Sequence, residues 1–350
     1  MGPCPVPALK VTGQPPVSAK EPAAGGILPG GGVPLWPFGL YSRKATTLII
    51  HTYAYPRAAL IGNPSDGYYG KTIAFVFSNF QAEVVLYESP ELEIVQQERD
   101  RSVFRSVQGL HDDVKLFGYY GGIRLLKAAI KKFYEHCQAR DLELDDRNFT
   151  IRYQSNIPNR LGLAGSSAII TACVRALMSF YRVQIPNPIL ANLVLSVETE
   201  ELGIGAGLQD RVAQAYEAPV FMDFSRAIME RQGYGSYHVM DPALFPPLYI
   251  AYRTDLSEGS EVVHNNLRER YEAGDLVVHE AMKGFAELTL AARERLESGH
   301  MQDLGALLDA NFDLRQKIMK ISAENLRMVE IARSVGASAK FTGSGGAIIG

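Results

Sequence analysis

The stretch NIPNRLGLAGSSAII, residues 156–170, constrains the fold more than any other part of the chain. The run NFTIRYQS before it is rich in β-branched and aromatic residues and reads as a strand; the aliphatic run after it continues as a helix over about 166–181. Gly162 and Gly165 let the backbone turn tightly between the two and approach a ligand with no Cβ in the way. The helix then begins with free N–H groups and the positive end of its dipole facing that turn. Such a junction can cradle an anion, and it can equally be an ordinary capped loop. Ser166 and Ser167 can cap the helix or offer a hydroxyl to a phosphate or a metal ion. No Lys follows the glycines, so the Walker pattern GxxxxGK[ST] is absent.

The rest of the chain mixes both element types. TTLIIHTYAY and RAALIG read as strands, the second running into a turn at NPSDG. Residues 72–77 and 82–87 are β-rich and are predicted to pair as a hairpin. YGGIRLLKAAIKKFYEHCQA places apolar residues at 123, 126, 130, 133, 134 and 137 around Lys127, Lys131 and Lys132, the period of a surface helix. A helix is expected near 188–202, strands at PVFMDF and PPLYIAYR, and helical stretches over 261–297, 302–320 and 323–335. The predicted class is α+β with two domains, 46–240 and 241–350. The strand that begins after GSGG and stops at Gly350 has no evident partner, which predicts an incomplete, truncated second domain.

Residues 1–45 differ in composition from the remainder of the chain. The first forty hold nine of the 19 prolines and eight of the 32 glycines, without periodicity, and are predicted to be disordered. Their one acidic residue, Glu21, would suit an organellar transit peptide, whereas their poverty in Arg and Ser would not. A net charge of −3 offers no field for nucleic acid or an anionic membrane. No apolar run approaches the roughly 20 residues needed to span a bilayer. Cys4, Cys137 and Cys173 are too scattered for a disulfide framework or a CxxC site and read as buried thiols, and the seven His form no HExxH pattern. A cytoplasmic protein with small-molecule ligands is expected, with no nucleic-acid, membrane or protein partner.

A second constellation lies in SVETEELGIGAGLQDRVAQAYEA, residues 196–218. Its glycines do not follow a strand, which excludes a dinucleotide-binding turn. Taken alone, Glu198, Glu200 and Glu201 read as a solvated helix face, Asp210 as an acid in a first helical turn, and Asp66 as the Asx-turn residue of NPSDG.

Together these segments resemble one family. Pro158, Gly162, Leu163, Gly165, Ser166, Ser167 and Ala168 match the second motif of the GHMP kinases, PxxxGLGSSAA, with Ala164 as one extra residue. PRAALIGNPSDGYYG resembles the first motif, with Arg57, Leu60, Ile61, Gly62 and Asp66 in register and Asn63-Pro64 where galactokinases have Glu-His. KFTGSGGA, residues 340–347, resembles the third. With ELGIGAGLQDRVAQAY and NFDLR, the similarity narrows to the plant-type glucuronokinase branch over about residues 55–350.

That resemblance implies a GHMP kinase fold, with a ribosomal protein S5 domain 2-like N-terminal domain and a ferredoxin-like α/β C-terminal domain. It implies ATP-dependent phosphorylation of D-glucuronate at C1, with MgATP and the sugar as ligands and Mg2+ as cofactor. Asp210 would be the catalytic aspartate and Arg57 its partner. Pro158, Gly162, Leu163, Ala164, Gly165, Ser166, Ser167, Ala168, Gly343, Ser344 and Gly345 would hold the nucleotide. Ser167 and Glu198 would hold the metal, although Ala164 leaves open which serine does so. Asp66 would accept sugar hydroxyls, and Arg211 and Arg315 are both candidates for the C6 carboxylate, which suits the planar guanidinium fork. The alternatives are a kinase for galacturonate, galactose, arabinose or fucose, and a non-catalytic relative that binds sugar or nucleotide.

Overall fold

The computed structural model describes residues 49–96, 106, 108, 121–253 and 267–350; the segment 1–45, expected to be disordered, lies outside them. The chain runs through β1 (Ile49–Ala54), β2 (Arg57–Ile61), a 3-10 turn (Ser65–Tyr68), β3 (Lys71–Val76), β4 (Ala82–Ser89) and β5 (Glu93–Ile94). Next come α1 (Gly122–Gln138), β6 (Asn148–Ser155), α2 (Gly165–Tyr181), α3 (Asn187–Ser196), a π turn (Val197–Glu201), α4 (Gln209–Tyr216) and β7 (Val220–Asp223). Then follow α5 (Arg226–Gln232), β8 (Ser236–Val239), β9 (Ile250–Tyr252), α6 (Leu276–Ser298), α7 (Leu304–Ile318), α8 (Ala323–Ser334), β10 (Lys340–Phe341) and β11 (Ala347–Ile349).

The strands form three sheets, ordered β1-β4-β6-β5, β2-β3-β7-β8 and β10-β11-β9. The hairpin predicted from residues 72–77 and 82–87 does not form: β4 pairs with β1 and β6, and β3 with β2 and β7. The cause is burial. Every residue of β3 after Lys71 is buried, so this strand needs a neighbour on each edge and cover on both faces. Helices α4 and α6 supply that cover.

Helix α2 is apolar on most of its circumference. Ile170, Cys173, Val174, Leu177 and Phe180 are buried, and the helix packs against β1, β4 and α1. Burying a side chain the size of Leu177 or Phe180 contributes about 1.5–3 kcal/mol, which anchors the turn that precedes the helix. Cys137 and Cys173 are buried free thiols, as expected.

Two helical expectations change. The stretch 261–297 is interrupted at Gly274, and α6 starts one residue after Asp275, whose carboxylate caps the N–H groups of Val277 and Val278; residues 261–266 lie outside the described set. The helix expected over 188–202 loosens into the π turn after Ser196. That turn separates three acids the sequence alone would have left on one face. Glu198 is fully buried, whereas Glu200 and Glu201 stay outside and pair with Lys132 and Lys131.

The strand that begins after GSGG has a partner on each side: β11 lies between β9 and β10, with Ala347 opposite Tyr252 and Ile349 opposite Lys340. The main apolar core reaches from Ile50 to Ile349 and includes residues on both sides of position 240. Among the described residues, no helix is long and apolar enough to cross a membrane.

Candidate active site

Two glycine-rich turns meet at the head of α2. Gly162 takes φ +63°, and a methyl on it would lie 2.7 Å from the Ser344 backbone nitrogen. A methyl on Gly343 would in turn collide with the Gly162 carbonyl. The 162–165 and 342–346 turns therefore touch backbone to backbone, which only glycine permits. Ala164, the extra residue, sits at φ 61°, a left-handed conformation that costs about 1 kcal/mol in a residue with a Cβ. Its carbonyl accepts from the Ala168 N–H (3.2 Å), the Ser167 hydroxyl (3.1 Å) and the Gln214 amide (2.9 Å). By helix geometry the N–H groups before Ala168 have no acceptor within α2 and point out over the turn.

Around this cradle the charges alternate in sign. The Arg57 guanidinium donates to the Thr342 carbonyl and lies 2.6 Å from Asp210 Oδ1. Asp210 Oδ2 lies 3.1 Å from Arg211 Nη1, and Arg211 donates from Nε (2.7 Å) and Nη2 to Glu198 Oε2. Glu198 Oε1 accepts from the Ser166 hydroxyl at 2.7 Å. This chain ties the third-motif turn to the first turn of α2. Arg57, Arg211 and Glu198 are buried, while the Asp210 side chain keeps 16% of its surface exposed. The Arg57 N–H also donates to the Leu163 carbonyl (3.1 Å), and Gln214 joins α4 to Ala164. Asp210 is thus fixed at the mouth of the 162–168 turn.

A second carboxylate stands beside it. Asp66 accepts from the Gln209 N–H and its side-chain amide, both at 3.3 Å. Burial, and then the Asp210 charge, push the Asp66 carboxyl up to about 6 against the pull of the Gln209 N–H, Arg57 and Arg211. Asp66 does not close on its own turn as an Asx-turn residue would; it reaches across to α4.

The expected roles of the two arginines meet a different placement. Arg211 spends its fork on Glu198, Asp210 and the Gly207 carbonyl (2.9 Å). Arg315 is buried, donates to the Gly343 (2.8 Å) and Ser344 (3.0 Å) carbonyls, and so clamps the third-motif turn. Burial, and then the Arg57 charge, push the Arg315 guanidinium down to about 10. Among the serines, Ser166 reaches Glu198, while Ser167 is turned back onto the Ala164 carbonyl.

Sequence reasoning missed three supports. Lys340 is buried and donates to the Ala59 (2.7 Å) and Phe341 (2.8 Å) carbonyls. Burial, Arg315 and Arg57 hold its ammonium well below the usual lysine range. Asn311, the Asn of NFDLR, bonds the Gly62 N–H (2.7 Å) and the Asn63 carbonyl (3.3 Å). Gln209 carries Asp66. Position within the family-like motifs was the available signal for each.

The donors suit a hard divalent ion. The Ser166 hydroxyl and the buried Glu198 carboxylate converge beside the helix start, and magnesium needs only one or two protein oxygens when phosphates and water complete its shell. Among the described residues, no three His, Cys, Asp or Glu side chains are grouped so that they could hold a metal ion, so a cage built of protein ligands alone is not present there.

Comparison with known proteins bears on the family and the fold. Residues 124–218 match the family model of the GHMP kinases N terminal domain. Glucuronokinase 1 of Arabidopsis thaliana is 42% identical over 312 residues, covering 87% of this chain and 85% of that one. Probable glucuronokinase 2 of the same plant is 42% identical over 303 residues, covering 85% and 82%. The crystal structure of Methanococcus jannaschii mevalonate kinase superposes with a TM-score of 0.62 at 20% identity, covering 87% of this chain and 90% of that one, and so shares the fold. With the matching family model and relatives of this similarity, the chain belongs to the GHMP kinase family.

Proposed function

We propose that the chain transfers the γ-phosphoryl group of ATP to the C1 hydroxyl of D-glucuronate, giving 1-phospho-α-D-glucuronate for salvage into UDP-glucuronate. The observation that carries this reading is Asp210, held between Arg57 and Arg211 at the mouth of the 162–168 turn. The 42% identity to a glucuronokinase supports the choice of sugar.

An anomeric hydroxyl is more acidic than an ordinary alcohol, so a carboxylate within hydrogen-bond reach suffices to orient it and take its proton. Asp210 is that carboxylate. Phosphoryl transfer then depends on in-line positioning and on stabilising charge at the transferring oxygens. The N–H groups of 162–167, at the turn and the start of α2, supply part of this stabilisation, and Arg57 offsets charge at the reacting end. Gly343, Ser344 and Gly345, braced by Arg315, close the cradle from the other side. Ser166 and Glu198 would hold magnesium, which when bound neutralises phosphate oxygens. Asp66, presented by the 3-10 turn, would accept sugar hydroxyls. In this reading residues 46–240 form the nucleotide-binding domain, 241–350 complete the site, and the enzyme works in the cytoplasm.

ADP release coupled to a panel of free sugars tests the proposal, with the product's phosphate located by NMR. D-glucuronate with MgATP should give a C1 phosphate. Turnover with galacturonate, galactose, arabinose or fucose but not glucuronate would replace the sugar, and no turnover with any of them would favour a non-catalytic binder.

A further inference from the structure

A pocket selective for a uronate needs a cation for the carboxylate, and the arginines at the phosphate end are committed elsewhere. Arg57 serves Asp210 and Thr342, Arg211 serves Glu198 and Asp210, and Arg315 serves the backbone of 343–344. Another guanidinium stands against the turn that carries Asp66. Arg268 lies in the helical stretch 267–272, and its Nη2 comes within 3.7 Å of where a methyl on Gly67 would sit. Its guanidinium carbon is 5.6 Å from the centre of the Tyr68 ring. Gly67 has no side chain to cover that guanidinium edge.

The carboxylate neighbour of Arg268 is a poor competitor. Glu272, one helical turn away, is 3.7 Å off, and both side chains are more than half exposed, a geometry of little strength. A planar fork with such a loose partner can exchange it for a better-placed carboxylate. Arg226, the next cation along the turn, is stacked over the Tyr69 ring at 4.3 Å. Asp66 and Gly67 are successive residues, so the turn that carries the proposed acceptor for sugar hydroxyls also borders the Arg268 guanidinium.

Resting on the D-glucuronate reading above, we propose that Arg268 determines sugar specificity by binding the C6 carboxylate in a two-point contact. The turn thereby sorts acid sugars from neutral ones, while Asp210 and the glycine cradle carry the transfer itself.

The test compares the intact enzyme with Arg268→Gln and Arg268→Lys, using D-glucuronate and its neutral amide, D-glucuronamide. Arg268→Gln should raise KM for D-glucuronate about 10- to 100-fold, the usual worth of a charged hydrogen-bonded contact, and lower the preference for acid over amide by a similar factor. KM for ATP should stay within about twofold, and Arg268→Lys should recover part of the loss as a point charge. An unchanged KM for D-glucuronate in an active Arg268→Gln enzyme, or an equal rise for acid and amide, overturns the Arg268 assignment alone. Wild-type enzyme that ignores D-glucuronate yet phosphorylates a neutral sugar overturns the reading beneath it as well.

Discussion

Gly162 and Ser344, in turns separated by about half of the chain, approach so closely that one added methyl on Gly162 would stand 2.7 Å from the Ser344 backbone nitrogen. The phosphate cradle is therefore assembled from two backbones in contact, with Arg315 bracing the second turn through the Gly343 and Ser344 carbonyls.

Gly343→Ala should consequently loosen the cradle. Its new methyl meets the Gly162 carbonyl, which belongs to backbone and cannot swing aside. Overpacking of this kind typically costs about 1–3 kcal/mol. Urea unfolding should register that loss, and KM for ATP should rise well above any change in KM for the sugar. Wild-type stability together with a wild-type KM for ATP would show that the two turns do not form one site.

The two serines should separate in a magnesium titration. Ser166→Ala removes the hydroxyl that meets Glu198, and the magnesium concentration for half-maximal rate should rise about tenfold, the worth of one contact to a charged group. Ser167→Ala deletes one of three donors to the Ala164 carbonyl, so its effect should fall on stability, at about 1 kcal/mol, with the magnesium dependence retained. The reverse pattern would move the metal to Ser167.

This choice of serine also marks where sequence reading stops. The strand–turn–helix junction, Arg57, Glu198 and Asp210 were legible because each occupies a fixed place in a motif. Ser166 and Ser167 are neighbours on a helix, and the left-handed Ala164 before them decides which one faces Glu198. The role of Arg315 was hidden because its acceptors are backbone carbonyls, which leave no trace in side-chain identity. Lys340 was hidden for the same reason: it is buried on the Ala59 carbonyl of β2, far away in sequence. The β-rich runs 72–77 and 82–87 marked β3 and β4 as strands but not their partners, and a strand buried on both faces, as β3 is, is consistent with several neighbours until the sheet is assembled.

Asp66 should leave a pH signature on stability. Its carboxyl titrates at about 6 in the fold against an ordinary value of 3.8, so between these values the folded state holds the proton more tightly than the unfolded chain. Stability from this group is therefore greatest below pH 3.8 and is lost as pH rises through 6, by up to about 3 kcal/mol. Asp66→Asn abolishes that loss. The stability of the variant relative to wild type, read from urea unfolding, should improve steadily from pH 4 to pH 7. A difference independent of pH would show that Asp66 is not held as the structure places it.

Asp210→Asn should separate chemistry from binding. The substitution removes the proton acceptor, and general-base assistance of this kind is worth about 10²–10⁴ in rate. It also leaves Arg57 and Arg211 with one carboxylate fewer, and an amide donor would face a guanidinium. Glu198 still neutralises Arg211, and Thr342 still accepts from Arg57, so the loss of stability should stay near 3 kcal/mol, at the low end for a broken buried pair. The N–H groups of the cradle are untouched, and a fluorescent ATP analogue should bind Asp210→Asn within about threefold of wild type. A rate kept near that of wild type would remove Asp210 from the chemistry. A rate lost together with nucleotide binding would make the aspartate a brace between two arginines, with the proton acceptor to be sought at Asp66.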